Sequence, residues 1–240
     1  ETKIPFDISL LNSITKGGLP NKSLNIIMAG TGVGKSLFMC HCAGANLNDG
    51  KNVLYITLEM AEERIAERID ANLLDMDIAD LVGLSQDSYN RKVENVKSKT
   101  VGRLIVKEYP TAVASSTHFR HLLNELHLKK NFKPDVIYID YLNICASSRI
   151  KMGSNANSYT LVKSIAEELR GLAVEYDVPV VSATQTTRTG FSSGDLELTD
   201  TSESFGLPAT ADFMVGMISS EELEEQGLVI IKQLKNRYKR

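Results

Sequence analysis

The apolar run Leu24-Asn25-Ile26-Ile27-Met28-Ala29 leads straight into Gly30-Thr31-Gly32-Val33-Gly34-Lys35-Ser36, and a second apolar stretch follows. The first run is short and barely alternates, as a strand buried on both faces does. Three glycines in five positions read as a tight turn, and the residues from about Lys35 read as a helix. A strand, a glycine-rich turn and a helix in this order form a phosphate-binding loop. Its backbone N–H groups converge on phosphate oxygens, and the helix N-terminus adds its positive end. The pattern predicts that Gly30, Thr31, Gly32, Val33, Gly34, Lys35 and Ser36 bind the phosphates of ATP or another NTP. Lys35 should reach the β- and γ-phosphates, and the Ser36 hydroxyl should help to hold Mg²⁺. Ala29 stands where the usual pattern has glycine, a change the loop tolerates because that residue ends the strand.

The rest of the chain repeats the strand–helix alternation. Strands are predicted at Asn52–Leu58, Leu104–Val106, Val136–Asp140, Val178–Ala183, Phe213–Ile218 and Leu228–Leu234. Helices are predicted at Ala61 to about Leu74, Ser116–Leu128 and Thr160–Tyr176. Ile65, Ile69 and Leu73 lie four apart, and Leu161, Ile165, Leu169, Leu172 and Tyr176 make one stripe. A short helix, Ile8–Ile14, should be capped by Asp7 and ended by Gly17-Gly18. Residues 75–102 read as polar and helical. Residues 146–158 and about 186–201 read as polar loops. This is an α/β domain with a mainly parallel sheet covered by helices on both faces. Residues 1–23 read as a leading linker segment and residues 24–240 as the domain.

Open α/β sheets bind ligands at the carboxyl ends of their strands, which selects three further residues. Asp140 ends a buried strand and should hold Mg²⁺ with Ser36, directly or through water. Glu59 follows the second strand and is either a base that orients water or, like Glu62 and Glu63, a carboxylate favoured at a helix N-terminus. Gln185 follows the strand Val178–Ala183 and is either a γ-phosphate sensor or an ordinary loop amide.

Charge narrows the partners. The net charge is −3, so a surface coated with nucleic acid is excluded, yet five basic residues lie within the last nine, Lys232–Arg240. No apolar run reaches the ~20 residues of a membrane span, and no signal-peptide core opens the chain. Cys40, Cys42 and Cys145 read as buried thiols in a reducing compartment. His118, His121 and His127, and Cys40-His41-Cys42, lack the companion ligands of a metal site.

The ordered set Gly30-Thr31-Gly32-Val33-Gly34-Lys35-Ser36, Leu58-Glu59-Met60, Ile139-Asp140-Tyr141-Leu142, Gln185 and Lys235-Asn236-Arg237 resembles the RecA-like ATPase domain of the DnaB-type hexameric replicative helicases. Lys16-Gly17-Gly18, Ile69-Asp70-Ala71-Asn72 and Gly206-Leu207-Pro208-Ala209-Thr210-Ala211-Asp212-Phe213 are most similar to the branch found in T-even-like phages. The resemblance covers about residues 7–238. It implies that Glu59 is the catalytic glutamate and Gln185 the γ-phosphate sensor. It implies that Lys235 and Arg237 reach the nucleotide of a neighbouring subunit, which would account for the basic tail. It also implies an ATP-driven 5′–3′ DNA helicase that works as a homo-hexamer on single-stranded DNA in the bacterial or phage-infected host cytoplasm. Primase and a helicase loader are implied as partners through an N-terminal domain of a longer protein, so the chain reads as an ATPase fragment.

The candidate DNA contacts are Arg149, Lys151, Ser154 and Asn155 in the first polar loop, and Arg188, Ser202, Glu203 and Gly206 in the second loop and the residues after it, 186–206. Bacterial family members have arginine where Ser202 stands, so that charged contact is not expected here. Two rivals share the site: a RecA-type recombinase ATPase and a non-translocating regulatory ATPase ring.

Overall fold

A computed structural model describes residues 2–99, 102–151, 153–185 and 206–239. A seven-stranded sheet forms its centre. The strands in chain order are β3 (Ser23–Ala29), β4 (Val53–Thr57), β5 (Leu104–Glu108), β6 (Val136–Asp140), β7 (Pro179–Gln185), β8 (Phe213–Ile218) and β9 (Ile230–Asn236). In space they run β5-β4-β6-β7-β3-β8-β9. Every pairing is parallel except β8 with β9. Two short strands, β1 (Lys3–Ile4) and β2 (Leu19–Pro20), pair antiparallel in a separate ribbon.

Side-chain parity sorts each strand between two cores. Leu24 and Ile26 of β3, Leu54 and Ile56 of β4, and Ile137 and Ile139 of β6 face one side. There they meet α6 (Ser116–Lys130), α7 (Ser158–Tyr176) and α8 (Gly206–Thr210) through Phe119, Leu123, Ile165, Leu169 and Leu207. Val53, Tyr55, Val136, Tyr138, Val181 and Ala183 face the other side. There they pack on Phe38, Met39, Ile65 and Ile69 of α2 (Lys35–Asn48) and α3 (Glu62–Leu73). Every residue of β3, β4 and β6 is buried, which is why these strands show apolar runs and not a clean alternation.

The remaining elements are the six-residue α1 (Ser9–Ile14), α4 (Ile78–Val82), α5 (Gln86–Lys97), α9 (Glu221–Glu225) and a 3₁₀ turn at Leu142–Ile144. The described part of this polar stretch, residues 75–99, therefore holds two helices. No residue of α5 is buried, and Tyr89 fastens it by donating to Asp70 at 3.1 Å. Burial raises the Asp70 pKa.

Three local expectations are corrected. Asp7 does not cap α1, whose N-cap is Ile8; its carboxylate lies 3.3 Å from His41 Nε2, linking the leading segment to α2. Gln185 does not follow the strand but is its last residue, because β7 stays paired with β3 through Ala29. The last strand is displaced two residues, to Ile230–Asn236, because Leu228 closes the turn after α9 by donating to Leu223 O. Residues before β3 pack onto the α2 side of the domain: Ile4, Leu11 and Leu19 are buried with Phe38 and Phe213.

Candidate functional site

The carboxyl ends of β3, β4, β6 and β7 lie side by side, and sequence parity decides which side chains meet α2 there. Asp140 shares the parity of Val136 and Tyr138, so it points to the α2 face, where Ser36 lies in the first turn of the helix. Glu59 continues the parity of Val53 and Tyr55. Gln185 continues that of Val181 and Ala183, and its backbone stands opposite Ala29, next to the phosphate loop.

The loop has the geometry its glycines allow. Gly32 and Gly34 have φ of +77° and +108°, a left-handed region that L side chains rarely adopt. Gly34 is the N-cap of α2, and Lys35 and Ser36 are its first two residues, both buried. The orphan N–H groups of this helix start are thereby aimed into the space above the sheet.

Two contacts link the motif to the acids. Ser36 Oγ donates to Asp140 Oδ2 at 2.7 Å, and Lys35 Nζ donates to Glu59 Oε2 at 2.9 Å. Tyr55 OH also donates to Asp140 Oδ2, at 2.9 Å. Burial first, and then the Asp140 charge, raise the Tyr55 pKa well above the ordinary range, so Tyr55 stays a neutral donor. Asp140 is fully buried, and its Oδ1 has no hydrogen-bond partner. A buried carboxylate oxygen without a partner is costly, and a cation beside it removes that cost. Mg²⁺ takes oxygen ligands and is usually held by one or two carboxylates together with phosphates. The residues present therefore fit Mg²⁺, which Asp140 and Ser36 would hold. The Lys35 ammonium lies 4.3 Å from the centre of the Tyr141 ring, which restricts its swing.

The family model of the DnaB-like helicase C-terminal domain matches residues 4–237. The chain belongs to that family. The DnaB-like replicative helicase of Enterobacteria phage T4 is 52% identical over 239 residues, covering 98% of this chain and 50% of that protein. A solved ATPase domain superposes with a TM-score of 0.80 at 19% identity, covering 98% of this chain and 84% of that one. A solved DnaB-like replicative helicase, described with its interactions with primase, has the same TM-score and identity and covers 98% and 57%. At that identity these two structures establish a shared RecA-like fold. The chain spans about half the length of the curated relatives it matches.

Within this family fold, Lys235 and Arg237 sit far from the phosphate loop of their own chain. β9 runs antiparallel to β8, so Asn236 stands opposite Phe213 at the amino-terminal end of the parallel strands. Arg237 N–H donates to Asp212 O at 3.0 Å, and Asp212 N–H donates to Leu24 O at 2.9 Å. From Leu24 to Gly30 the strand covers about 20 Å at ~3.3 Å per residue. Neither cation can serve the nucleotide bound by its own chain.

The first polar loop is pinned to α7. Glu168 accepts from Ser147 Oγ at 2.7 Å and from the Ser148 N–H at 2.7 Å, and it also accepts from the Ser148 hydroxyl. These bonds lower the Glu168 pKa against the effect of its partial burial. Arg149 pairs with Glu167 at 2.8 Å and donates to Ser164 O, while Lys151 is exposed. Thr184 Oγ1 donates to Asn143 Oδ1 at 2.8 Å, tying the residue before Gln185 to the 3₁₀ turn that leads into this loop. Sequence reading missed Tyr55, Thr184, Asn143 and Glu168, because their roles depend on partners 15 or more residues away. Arg188, Ser202 and Glu203 lie outside the described residues, and Gly206 is the first residue of α8.

The three cysteines are buried. Burial pushes Cys40 and Cys42 up to about 12 and raises Cys145 as well. All three are therefore neutral thiols within the packing. His118 is occupied at the start of α6, where its Nδ1 accepts from the Ser115 N–H at 3.1 Å.

Proposed function

We propose that this chain is the ATP-driven motor of a replicative DNA helicase, a homo-hexameric ring that hydrolyses NTP to move 5′ to 3′ on single-stranded DNA. The convergence of Lys35, Ser36, Glu59 and Asp140 at the carboxyl end of one sheet carries the reading. Family membership supports the choice of a helicase over other ATPases. Among the described residues no helix is long and apolar enough to cross a membrane. We place the protein in the cytoplasm of a bacterium or of a phage-infected host, with primase and a loader as partners of the longer chain.

The Lys35–Glu59 pair is the resting arrangement: cation and base neutralise each other until a triphosphate competes for Lys35. Backbone N–H groups of residues 30–36 then hold the phosphates. Asp140 and Ser36 would hold Mg²⁺, which would screen the negative charge of the phosphates. Glu59, freed from Lys35, takes the proton of the attacking water as its oxygen bonds to the γ-phosphorus and the bond to the β–γ bridging oxygen breaks. Gln185 senses whether the γ-phosphate is present.

Glu59→Gln should lower turnover by ~10²–10⁴-fold. It should not weaken nucleotide binding. The lost ion pair is half-exposed and contributes at most about 1 kcal/mol, so Kd should stay the same or fall by up to about five-fold. Nucleotide titration beside single-turnover hydrolysis checks both. Lost binding with unchanged turnover per bound nucleotide would make Glu59 structural.

For DNA we propose backbone phosphate contacts by the loops at 147–158 and 186–206, with Arg149, Lys151, Arg188, Ser202, Glu203 and Gly206 as the candidates. A tracking motor grips phosphates because base-edge contacts would stall it. Binding should be nearly independent of sequence, with a salt slope of about −0.7 per phosphate neutralised. In Arg149→Ala/Lys151→Ala rings, the ratio of DNA-stimulated to DNA-free turnover should fall and the salt slope should become shallower. An unchanged ratio and slope would remove the first loop from the channel. The overall test is ATPase rate with and without single-stranded DNA across protein concentration, with unwinding of a forked duplex by the full-length protein.

A further inference from the structure

Asp212 gathers more positive charge than it neutralises. Its side chain is 8% exposed and lies between β3, α7 and the end of β9. Oδ2 accepts from the Leu24 N–H at 2.9 Å and from Arg170 Nε at 3.1 Å. Oδ1 accepts from the second Arg170 nitrogen at 3.2 Å and from Arg237 at 3.0 Å. Arg237 also donates to Ala209 O at 2.7 Å, and Lys235 donates to Pro208 O. Arg170, Lys235 and Arg237 thus surround one carboxylate. Burial, followed by the Arg237 charge, lowers the Lys235 pKa.

The placement of the cluster gives these bonds a use beyond fastening the chain end. Both arginine side chains stay more than a third exposed, at 38% for Arg170 and 45% for Arg237, although the Asp212 side chain between them is buried. The cluster lies by the edge strand β9, at the end of the sheet away from the phosphate loop. A cation held by a buried, doubly braced carboxylate is fixed in direction before an anion arrives, so little order is lost on contact. A long side chain on a strand end has no such restraint without it.

We propose that Asp212, braced by Arg170, is the positioning residue that aims Arg237 and Lys235 at the γ-phosphate bound by the neighbouring subunit. The proposal rests on the reading that Arg237 acts in trans. Asp212 itself touches no nucleotide. It holds the Arg237 guanidinium and the Asp212–Leu24 backbone link in one frame, so the finger moves with β3, whose far end carries the phosphate loop. A finger displaced by about 1 Å should cost on the order of 10²-fold in turnover.

The experiment mixes variants of the full-length protein, with co-assembly verified by native mass spectrometry. Asp212→Asn keeps the side-chain shape and an acceptor for Leu24, but it removes the charge that holds both arginines. Asp212→Asn alone should show a kcat lowered by about 10²-fold with KM for ATP unchanged, since its own phosphate loop is intact. Mixed with Lys35→Ala it should regain activity, because a sound finger then faces a sound loop at some interfaces. Mixed with Arg237→Ala it should regain none, because both proteins lack a working finger.

Full activity of Asp212→Asn, or no rescue by Lys35→Ala while Arg237→Ala is rescued, overturns the inference and leaves the trans finger standing. If Lys35→Ala fails to rescue Arg237→Ala in verified mixed rings, the trans reading falls and takes this inference with it. Arg170→Leu repeats the test should Asp212→Asn not fold. It should show the same lowered kcat, rescued by Lys35→Ala and not by Arg237→Ala, and the opposite pattern overturns the proposal.

Discussion

Lys35→Ala is expected to abolish NTP hydrolysis and to weaken nucleotide binding. Lys35 is buried at the first turn of α2 and packs over Tyr141, and its ammonium is 2.9 Å from Glu59. Alanine would remove a buried side-chain cation at the phosphate loop, in a site where water is partly excluded and charge interactions are strong. It would also leave the Glu59 carboxylate facing the nucleotide phosphates without its counter-ion, which adds repulsion to the lost attraction. The loop backbone should survive, since Gly32 and Gly34 set its conformation and Phe38 N–H still donates to Gly34 O. Steady-state turnover and titration with a fluorescent nucleotide would measure the two effects. Unchanged turnover would contradict the entire reading of the site.

The second large effect is expected from Arg237→Ala. A finger supplied by a neighbour contributes on the order of 10³–10⁵ to turnover in related phosphoryl transfers. The antiparallel course of β9 carries Arg237 to the end of the sheet opposite its own loop, so any such contribution must cross a subunit boundary. Turnover per subunit should therefore rise with protein concentration in the wild type. Arg237→Ala and Lys35→Ala, each inactive alone, should partly restore activity when mixed. Nucleotide affinity of Arg237→Ala should stay near wild type where the subunits are dispersed, because no group of the chain's own site is altered. Absence of concentration dependence, together with failed rescue in verified mixed rings, would reduce Arg237 to a structural partner of Asp212.

The residues around the phosphate loop were open to sequence reasoning because their chemistry is local. Gly30 to Ser36 needs only its own backbone and helix start, and the six strands after β3 were found within a few residues. Asp140 was legible as a strand-end acid for the same reason. Asp7 was not legible: a carboxylate before a helix is favoured as a cap, but His41 on another helix competes for it, and proximity in sequence cannot rank the two. The strand before Gln185 was ended two residues early, at Ala183, because the register of β7 is set by pairing with Ala29, a partner 156 residues before Gln185.

By itself, then, the sequence determined the strand–loop–helix unit and the chain order of the central strands, since both follow from the backbone and from the period of the side chains; β3, β4 and β6 are buried on both sides, so the face that each of their residues takes was decided by packing. Only the tertiary structure decided which charges meet. It joined Lys35 to Glu59, left Asp140 Oδ1 without a partner, and gave Asp212 two arginines from different elements. The reason is physical: burial makes an unmatched charge costly, and the partner that removes the cost is whichever group the packed sheet and helices bring within about 3 Å, however far along the chain it lies.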